Sequence, residues 1–179
     1  MKFWRVVSAA LLVSALAGCG MMGTSKEVPP PCPKVRLLGD ANKLTQFRQG
    51  TGRDATDVAF QVDVVGLDAV CEFKDKNANV VVTTTLGVAA TRGPASQGDV
   101  VSTISYFVAV VDSTQQILVR EAFESRIDLP AGRRRAGVVE ETVQRIPLNG
   151  KRSSEIEILV GLQLSEEQLQ FNRQQRGTP

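Results

Sequence analysis

Apolar and polar residues alternate along most of residues 34–164, and glycine, proline and asparagine interrupt the alternation. A period of two is typical of strands with one buried face. The pattern predicts eight strands, near residues 34–38, 56–66, 69–74, 79–91, 100–111, 116–128, 137–146 and 155–164. In 100–111 both registers are largely apolar, so we expect this strand to be central and covered on both faces.

Short turn-forming stretches separate the strands, among them Arg92-Gly93-Pro94 and Leu148-Asn149-Gly150. Because strands joined by short turns run antiparallel, the pattern predicts an all-β fold. We expect an antiparallel β-sandwich of the immunoglobulin-like kind, with a closed barrel as the alternative. Ser165 and Gln168 then have the spacing of a helix capping box, which predicts a short C-terminal helix near residues 166–175.

The first residues follow a different pattern. Lys2 and Arg5 come before an apolar run at residues 6–17. Only Ser8 and Ser14 interrupt this run. A charged start followed by about a dozen apolar residues is typical of a secretory signal peptide. A membrane-spanning helix is the alternative, but such a helix needs about 20 apolar residues.

The apolar run ends in Leu16-Ala17-Gly18-Cys19, which resembles the lipobox of bacterial lipoproteins. The resemblance implies cleavage before Cys19, a diacylglyceryl thioether on its sulfur, and an acyl chain such as palmitate on its new amine. Two or three acyl chains give a stable membrane anchor, whereas a single chain gives marginal binding. In many Gram-negative lipoproteins a residue other than aspartate after the cysteine goes with export to the outer membrane. Gly20 therefore implies the periplasmic face of the outer membrane rather than the inner membrane.

Residues 20–33 contain Pro29, Pro30 and Pro31, and a proline run favours a stiff, extended tether. Docking of this run into an aromatic groove is the alternative. The chain is therefore expected to divide into four segments: a signal peptide (1–18), the lipidated cysteine and tether (19–33), a sandwich domain (34–164) and a short helix with a tail (165–179).

Charge and composition exclude several kinds of function. Lys and Arg number 21 and Asp and Glu number 19, and the chain has no histidine. Loss of Lys2 and Arg5 with the signal peptide leaves 19 charges of each sign, which gives no general attraction for nucleic acid. Without histidine the chain cannot build a Ser–His or Cys–His nucleophile pair or the usual zinc site. We therefore expect a protein that is not an enzyme, with no metal and no cofactor other than the lipid on Cys19.

Cys32 and Cys71 are left once Cys19 carries the lipid. In an exported protein two remaining cysteines predict a disulfide, and a buried free thiol at Cys71 is the alternative. The closed loop would span about 40 residues, for which the chain-entropy model gives about 4 kcal/mol of stabilisation.

Arg133, Arg134 and Arg135 are adjacent in a predicted turn between Gly132 and Gly137. Three neighbouring arginines suit anionic lipid headgroups or an acidic partner. A solvated turn that discourages aggregation is the simpler alternative.

The segment Gly50-Thr51-Gly52-Arg53-Asp54 superficially resembles a phosphate-binding loop, but it lacks the Gly-Lys-Ser/Thr ending and no helix pattern follows it. We interpret it as an ordinary loop. Asp54 and Asp57 have the chemistry to share a calcium ion, although solvated loop acids are the simpler interpretation.

The body of the chain resembles small lipoproteins whose mature part is a single β-domain, which implies a role in the cell envelope. Our first hypothesis is a structural or accessory subunit that binds another envelope protein through a sheet edge, a loop end or the C-terminal helix. The second is a small-ligand or lipid carrier of the periplasm, because sandwiches and barrels can enclose an apolar cavity. The chain has only seven Phe, one Trp and one Tyr with which to line such a cavity. A hydrolase built on carboxylates is a distant third.

Overall fold

Two four-stranded sheets, packed face to face, contain most of the chain that the structure describes. The structure is a computed structural model, and it describes residues 29–50 and 52–177. The expected signal peptide, Cys19 and most of the expected tether lie outside the described residues.

The strands and the helix follow one another along the chain. They are β1 Lys34–Leu37, β2 Lys43–Phe47, β3 Val58–Lys74, β4 Asn79–Arg92, β5 Val100–Asp112, β6 Ile117–Leu129, β7 Arg135–Pro147, β8 Ile156–Leu162 and α1 Glu166–Gly177. One sheet has the strand order β1-β8-β5-β6 and the other has the order β2-β3-β4-β7. The predicted all-β sandwich with a short C-terminal helix is confirmed.

The observed strands differ from the predicted ones in two places. The predicted strands 56–66 and 69–74 are one strand, β3. No turn forms at Gly66, and the pairing with β4 only shifts register between Val64 and Gly66. Such a bulge bends a strand without ending it. Strand β2 was not predicted, because a five-residue segment with Thr45 and Gln46 at its centre is too short and too polar to show a period.

The pairing of β1 with β8 is also a departure from the predicted antiparallel arrangement. These two strands run parallel, with Val35 opposite Ile158, whereas every other described pair is antiparallel. Two strands joined by a short turn must run antiparallel. Most of the domain lies between β1 and β8 along the chain, so no short turn fixes their relative direction.

The core lies between the sheets and is built from the inward positions of the long strands. Its fully buried members are Val62, Val80, Val82, Leu86, Val88, Ala90, Ile104, Tyr106, Val108, Val110, Ile127, Leu129, Ile156, Ile158, Val160 and Leu162. Strand β5 lies between β8 and β6, as predicted, and residues 108–112 are buried on both faces. Nearer its start, however, Val101 is 55% exposed, so the prediction holds for the second half of the strand.

Helix α1 begins as predicted. The Ser165 amide donates to Gln168 Oε1 (2.9 Å) and the Gln168 amide donates to Ser165 Oγ (3.2 Å), which completes the capping box. Buried Asn172 then fastens the helix by donating to the carbonyls of Asp40 (2.8 Å) and Lys43 (2.7 Å). The helix is therefore held to the segment that links β1 and β2.

The sandwich has two distinct ends. At one end, which we call the tether end, Ser153 Oγ donates to the carbonyl of Pro31 (2.7 Å), just before β1 and β8 begin. Strand β7 runs to this end at Pro147 from Arg135 at the opposite end. At about 3.4 Å per residue that strand is roughly 40 Å long, so the far end lies roughly 40 Å from the tether end.

Candidate interaction surface

Exposed apolar side chains are concentrated on two neighbouring strands, β6 and β7. The large exposed apolar residues are Val65, Val70, Val101, Ile117, Leu118, Val119, Val139 and Val143. Ile117, Leu118 and Val119 are consecutive on β6, and Val139, the most exposed at 74%, lies with Val143 on β7. We call residues 117–124 of β6 together with 139–143 of β7 the β6–β7 margin.

Both strands of the margin are sheet edges. Among the described residues β6 is hydrogen-bonded along its length only to β5, and β7 only to β4. The two edges lie side by side, because residues 130–134 join them and Ser125 Oγ of β6 donates to the Glu140 carboxylate of β7. All of residues 117–122 are exposed, so the first half of β6 is open to solvent on both faces.

Asp112 positions the start of β6. Its carboxylate accepts hydrogen bonds from the Thr114 hydroxyl (2.6 Å), the Thr114 amide (2.9 Å) and the Gln116 amide (3.1 Å). Lys151 Nζ lies 3.2 Å from its other oxygen. The hydrogen bond from the Thr114 hydroxyl, followed by those from Lys151 and the two amides, holds the pKa of Asp112 well below its usual range.

The inner face of β7 beneath the margin is unusually polar. Glu140, Thr142 and Gln144 occupy three successive inward positions, opposite Leu86, Thr84 and Val82 of β4. Among the described residues the Thr84 hydroxyl and both amide atoms of Gln144 are buried without a hydrogen-bond partner. Burial, and secondarily the Glu140 charge, raise the pKa of the nearby Tyr106 phenol. This part of the interior therefore has unused hydrogen-bonding capacity.

The structure pairs Cys32 with Cys71 in a disulfide, with 5.8 Å between their Cα atoms. Cys71 lies on β3, and Cys32 lies just before β1, so the bond joins the two sheets near the tether end. The predicted disulfide is confirmed, and the alternative of a free thiol at Cys71 is wrong. Cys19 lies outside the described residues.

Arg133, Arg134 and Arg135 lie at the far end, where Arg135 opens β7. All three are exposed, and within the described residues their side chains form no hydrogen bond or ion pair. The organising residue of this turn is Arg92, which the sequence did not single out. Its guanidinium donates five hydrogen bonds, at 2.6–3.0 Å, to Ser96 Oγ and to the carbonyls of Gly98, Leu129, Pro130 and Arg133.

Asp54 and Asp57 both accept hydrogen bonds from residues of the segment between β2 and β3. Asp54 accepts hydrogen bonds from the amide (2.7 Å) and hydroxyl (2.6 Å) of Thr56, which lower the pKa of its carboxyl. Asp57 is buried and accepts a hydrogen bond from Arg48 Nε at 2.6 Å. Both carboxylates thus help to hold the loop before β3 in place, with Asp54 exposed to solvent, as the simpler interpretation predicted, and Asp57 buried.

A groove runs beside α1, on the surface of the sandwich rather than inside it. Its volume is about 620 Å³, and it passes the edge-to-face contact between Phe47 and Phe171, whose rings are 5.2 Å apart. Arg53 lies over the Phe47 ring at 5.3 Å and also reaches Glu167 at 2.9 Å. The positive charge of Arg53 in the groove lining is therefore paired.

Within residues 29–50 and 52–177 no group of three or more Cys, Asp or Glu side chains is arranged to hold a metal ion. The helices of the described part are all too short or too polar to cross a membrane. Comparison with protein-family models, with curated proteins and with solved structures found no match to this chain.

Proposed function

We propose that the chain is a membrane-anchored envelope lipoprotein that acts as a non-enzymatic accessory subunit and binds another envelope protein at the β6–β7 margin. The observation that carries this proposal is the concentration of exposed apolar side chains on two adjacent sheet edges that no strand of the described residues pairs. Edges of this kind attract other polypeptides and are usually blunted. Three consecutive exposed apolar residues at 117–119 leave this edge unblunted at its start.

The proposed location depends on Cys19 and on the disulfide. A lipid on Cys19 would place the tether at the membrane, on the periplasmic face of the outer membrane. The Cys32–Cys71 bond supports an exported location, because disulfides persist in oxidising compartments. The margin begins near the tether end, where Ile117 lies opposite Val111, and runs along the side of the sandwich toward the far end.

The finer assignment of the fold is a proposal as well. We infer an immunoglobulin-like sandwich, supported by two packed four-stranded sheets and a disulfide that joins them.

Lipidation is tested by the mass of the membrane-extracted protein. Wild type should carry the mass of a diacylglyceryl group and an acyl chain on a chain that begins at Cys19. The Cys19→Ser variant should lack both the lipid and the cleavage. An identical lipid mass in the two proteins would refute the anchor.

The accessory role is tested by crosslinking in intact cells, followed by extraction in mild detergent and pull-down. Wild type is compared with an unlipidated form, Cys19→Ser, that is directed to the periplasm. We expect one envelope protein in stoichiometric amount with wild type, and less of it without the anchor, because the anchor raises the local concentration. The absence of any stoichiometric partner from both forms would contradict the proposal.

Arg133, Arg134 and Arg135 are proposed to contact an acidic surface of the same partner. Their exposed guanidinium groups, which pair with no acid in the described part of the chain, support this, and their place at the far end sets them apart from the bilayer at the tether end. Changing all three to Glu should slow association at low salt, since charges at the rim act mainly on the association rate. The same variant should bind anionic vesicles as wild type does, and weakened vesicle binding would favour lipid headgroups instead.

A periplasmic carrier of small ligands or lipids is the second candidate, and the groove beside α1 is the observation that favours it. Its volume of about 620 Å³ lies in the usual range for ligand sites. Native mass spectrometry after gentle extraction separates the two candidates, because a carrier would retain the mass of its ligand and an accessory subunit would not.

A further inference from the structure

The free edge of β6 is suited to one particular kind of contact. We propose that residues 117–124 take up an extended segment of a different protein as an additional antiparallel strand, beside β6 in the sheet β1-β8-β5-β6. This inference rests on the proposed function and names the chemistry of the partner at the β6–β7 margin.

The backbone of β6 supplies the first argument. One side of β6 pairs with β5 through a continuous register from Val110↔Val119 to Val100↔Leu129, and a bulge separates this run from the pair Val111↔Ile117. The strand is therefore regular from Val119 onward. Within the described residues no strand pairs with its other side. Every residue of 117–122 is exposed, and neither face of the sheet hinders an incoming backbone there. Such an edge offers a row of amide and carbonyl groups to an extended polypeptide.

The charges in the middle of the free segment argue against a second copy of this chain. In a symmetric antiparallel pair one residue faces its own copy across the two-fold axis, since opposed residues must share a face. The middle of 117–124 falls at Arg120 and Glu121. Centring on either residue brings two guanidinium groups or two carboxylates together, which is destabilising. Centring further out leaves much of the free segment unpaired.

The same charges describe a partner that would fit. Arg120 shares the outer face with Ala122, and its guanidinium lies 4.7 Å from the Phe107 ring, which keeps the positive charge on that face. Glu121 shares the inner face with Phe123, which stacks on Tyr106 with 5.3 Å between the ring centroids. An incoming strand should therefore present an acid opposite Arg120, a base opposite Glu121, and apolar residues opposite 117–119.

Photo-crosslinking in intact cells tests the strand geometry. A photoreactive residue replaces Ile117, Val119 or Ala122 in the full-length chain, and Val101, an exposed valine away from the margin, is the matched control. Mass spectrometry then locates each crosslinked residue in the partner. We expect all three positions to crosslink to one stretch of about six residues, in reversed order along the partner sequence, because antiparallel strands pair residue by residue. Val101 should give no crosslink to that stretch.

Other outcomes overturn the inference in distinguishable ways. If the partner copurifies but the three crosslinks fall on separate segments of it, strand addition is wrong and the proposed accessory role stands. Crosslinks to a second copy of this chain would replace the heterologous strand with a homodimer. If no partner copurifies and none is crosslinked, both the inference and the proposed function fail.

A charge swap provides an independent test of register. Arg120→Glu should reduce the crosslinking yield at Ala122 by at least about tenfold, because it places like charges opposite each other. Changing the mapped acidic residue of the partner to Lys should restore most of that yield. A yield unchanged by Arg120→Glu, or not restored by the partner substitution, would contradict the proposed pairing.

Discussion

The carboxylate of Asp112 determines where β6 begins, and it does so from a nearly buried position at the end of β5. Three donors from the turn converge on one of its oxygens, and Lys151 approaches the other. All of these contacts favour the ionised form. The residue therefore links the geometry of the margin to pH.

Replacing Asp112 with Asn should destabilise the protein in a pH-dependent way. Because the folded-state pKa of Asp112 is lowered, its contribution is present above the usual carboxyl range and is lost as the pH falls toward the folded-state value. Thermal melts should show a lower Tm for the variant than for wild type at pH 7. This difference in Tm should narrow between about pH 4 and pH 2. The exposed residue Asp68 provides the control, as Asp68→Asn. A difference in Tm that does not change with pH would contradict the role assigned to Asp112.

Thr84 represents the opposite situation, a polar group buried without a partner. Its hydroxyl is almost fully buried. Among the described residues no group donates a hydrogen bond to this hydroxyl or accepts one from it. Thr84→Val should therefore raise stability by about 1 kcal/mol, because an unsatisfied buried group costs about 1–3 kcal/mol. Thr83→Val, on the other face of β4, controls for the general effect of valine in a strand. Equal effects of the two substitutions in chemical denaturation would show that the Thr84 hydroxyl is satisfied.

Individual residues differ in how far the sequence reveals their role. Cys32 and Cys71 could be paired in advance, because an exported context and two remaining cysteines leave few options. The role of Arg92 could not be identified, because the hydrogen-bond acceptors of its guanidinium are spread along the sequence between Ser96 and Arg133. Only the pairing of β4 with β7 brings these acceptors together. The neighbouring Arg133–Arg135 run attracted attention instead, because adjacent charges are visible in a sequence and converging carbonyls are not.

Among the elements, the long strands follow directly from their alternation, and the exceptions have local causes. The pattern around Gly66 indicates a break, but a bulge absorbs it and β3 continues. The free edge of β6 could not be predicted, because the sequence of a strand does not show on which side it lacks a neighbouring strand. Exposure of both faces at 117–122 depends on the packing of the two sheets, which the sequence of β6 alone does not show.

The disulfide links two elements that no short turn connects, β3 and the segment before β1. The two cysteines that it joins are 39 residues apart in the sequence. Replacing both Cys32 and Cys71 with Ala should lower the free energy of unfolding by about 4 kcal/mol, the loop-closure entropy that the bond removes from the unfolded chain. Urea unfolding of the variant and of wild type measures this difference. Reducing agent should destabilise wild type and leave the variant unchanged, and sensitivity of the variant to reductant would contradict this explanation.

For the molecule as a whole, the tether end and the margin have separate tasks. The tether end carries the disulfide and the Pro31–Ser153 contact, which fix the chain as it enters the sandwich. The margin starts near the tether end at Ile117 and runs along one side of the sandwich, and the exposed arginines lie at the far end. An anchored domain with this layout presents its apolar edge parallel to the long axis, where a neighbouring protein can reach it.

The most direct test of the central claim compares two exposed-residue variants in the membrane-extracted complex. Leu118→Arg places a charge in the margin, whereas Val101→Arg places the same charge on an exposed position of the same sheet outside it. Both should fold with the Tm of wild type, because neither residue is buried. The amount of partner recovered per molecule of this chain is then measured by quantitative mass spectrometry. Our account predicts that Leu118→Arg loses at least nine-tenths of the partner, on the order of 1.4 kcal/mol or more, while Val101→Arg retains it. Full recovery of the partner with Leu118→Arg would contradict the assignment of the margin as the contact surface.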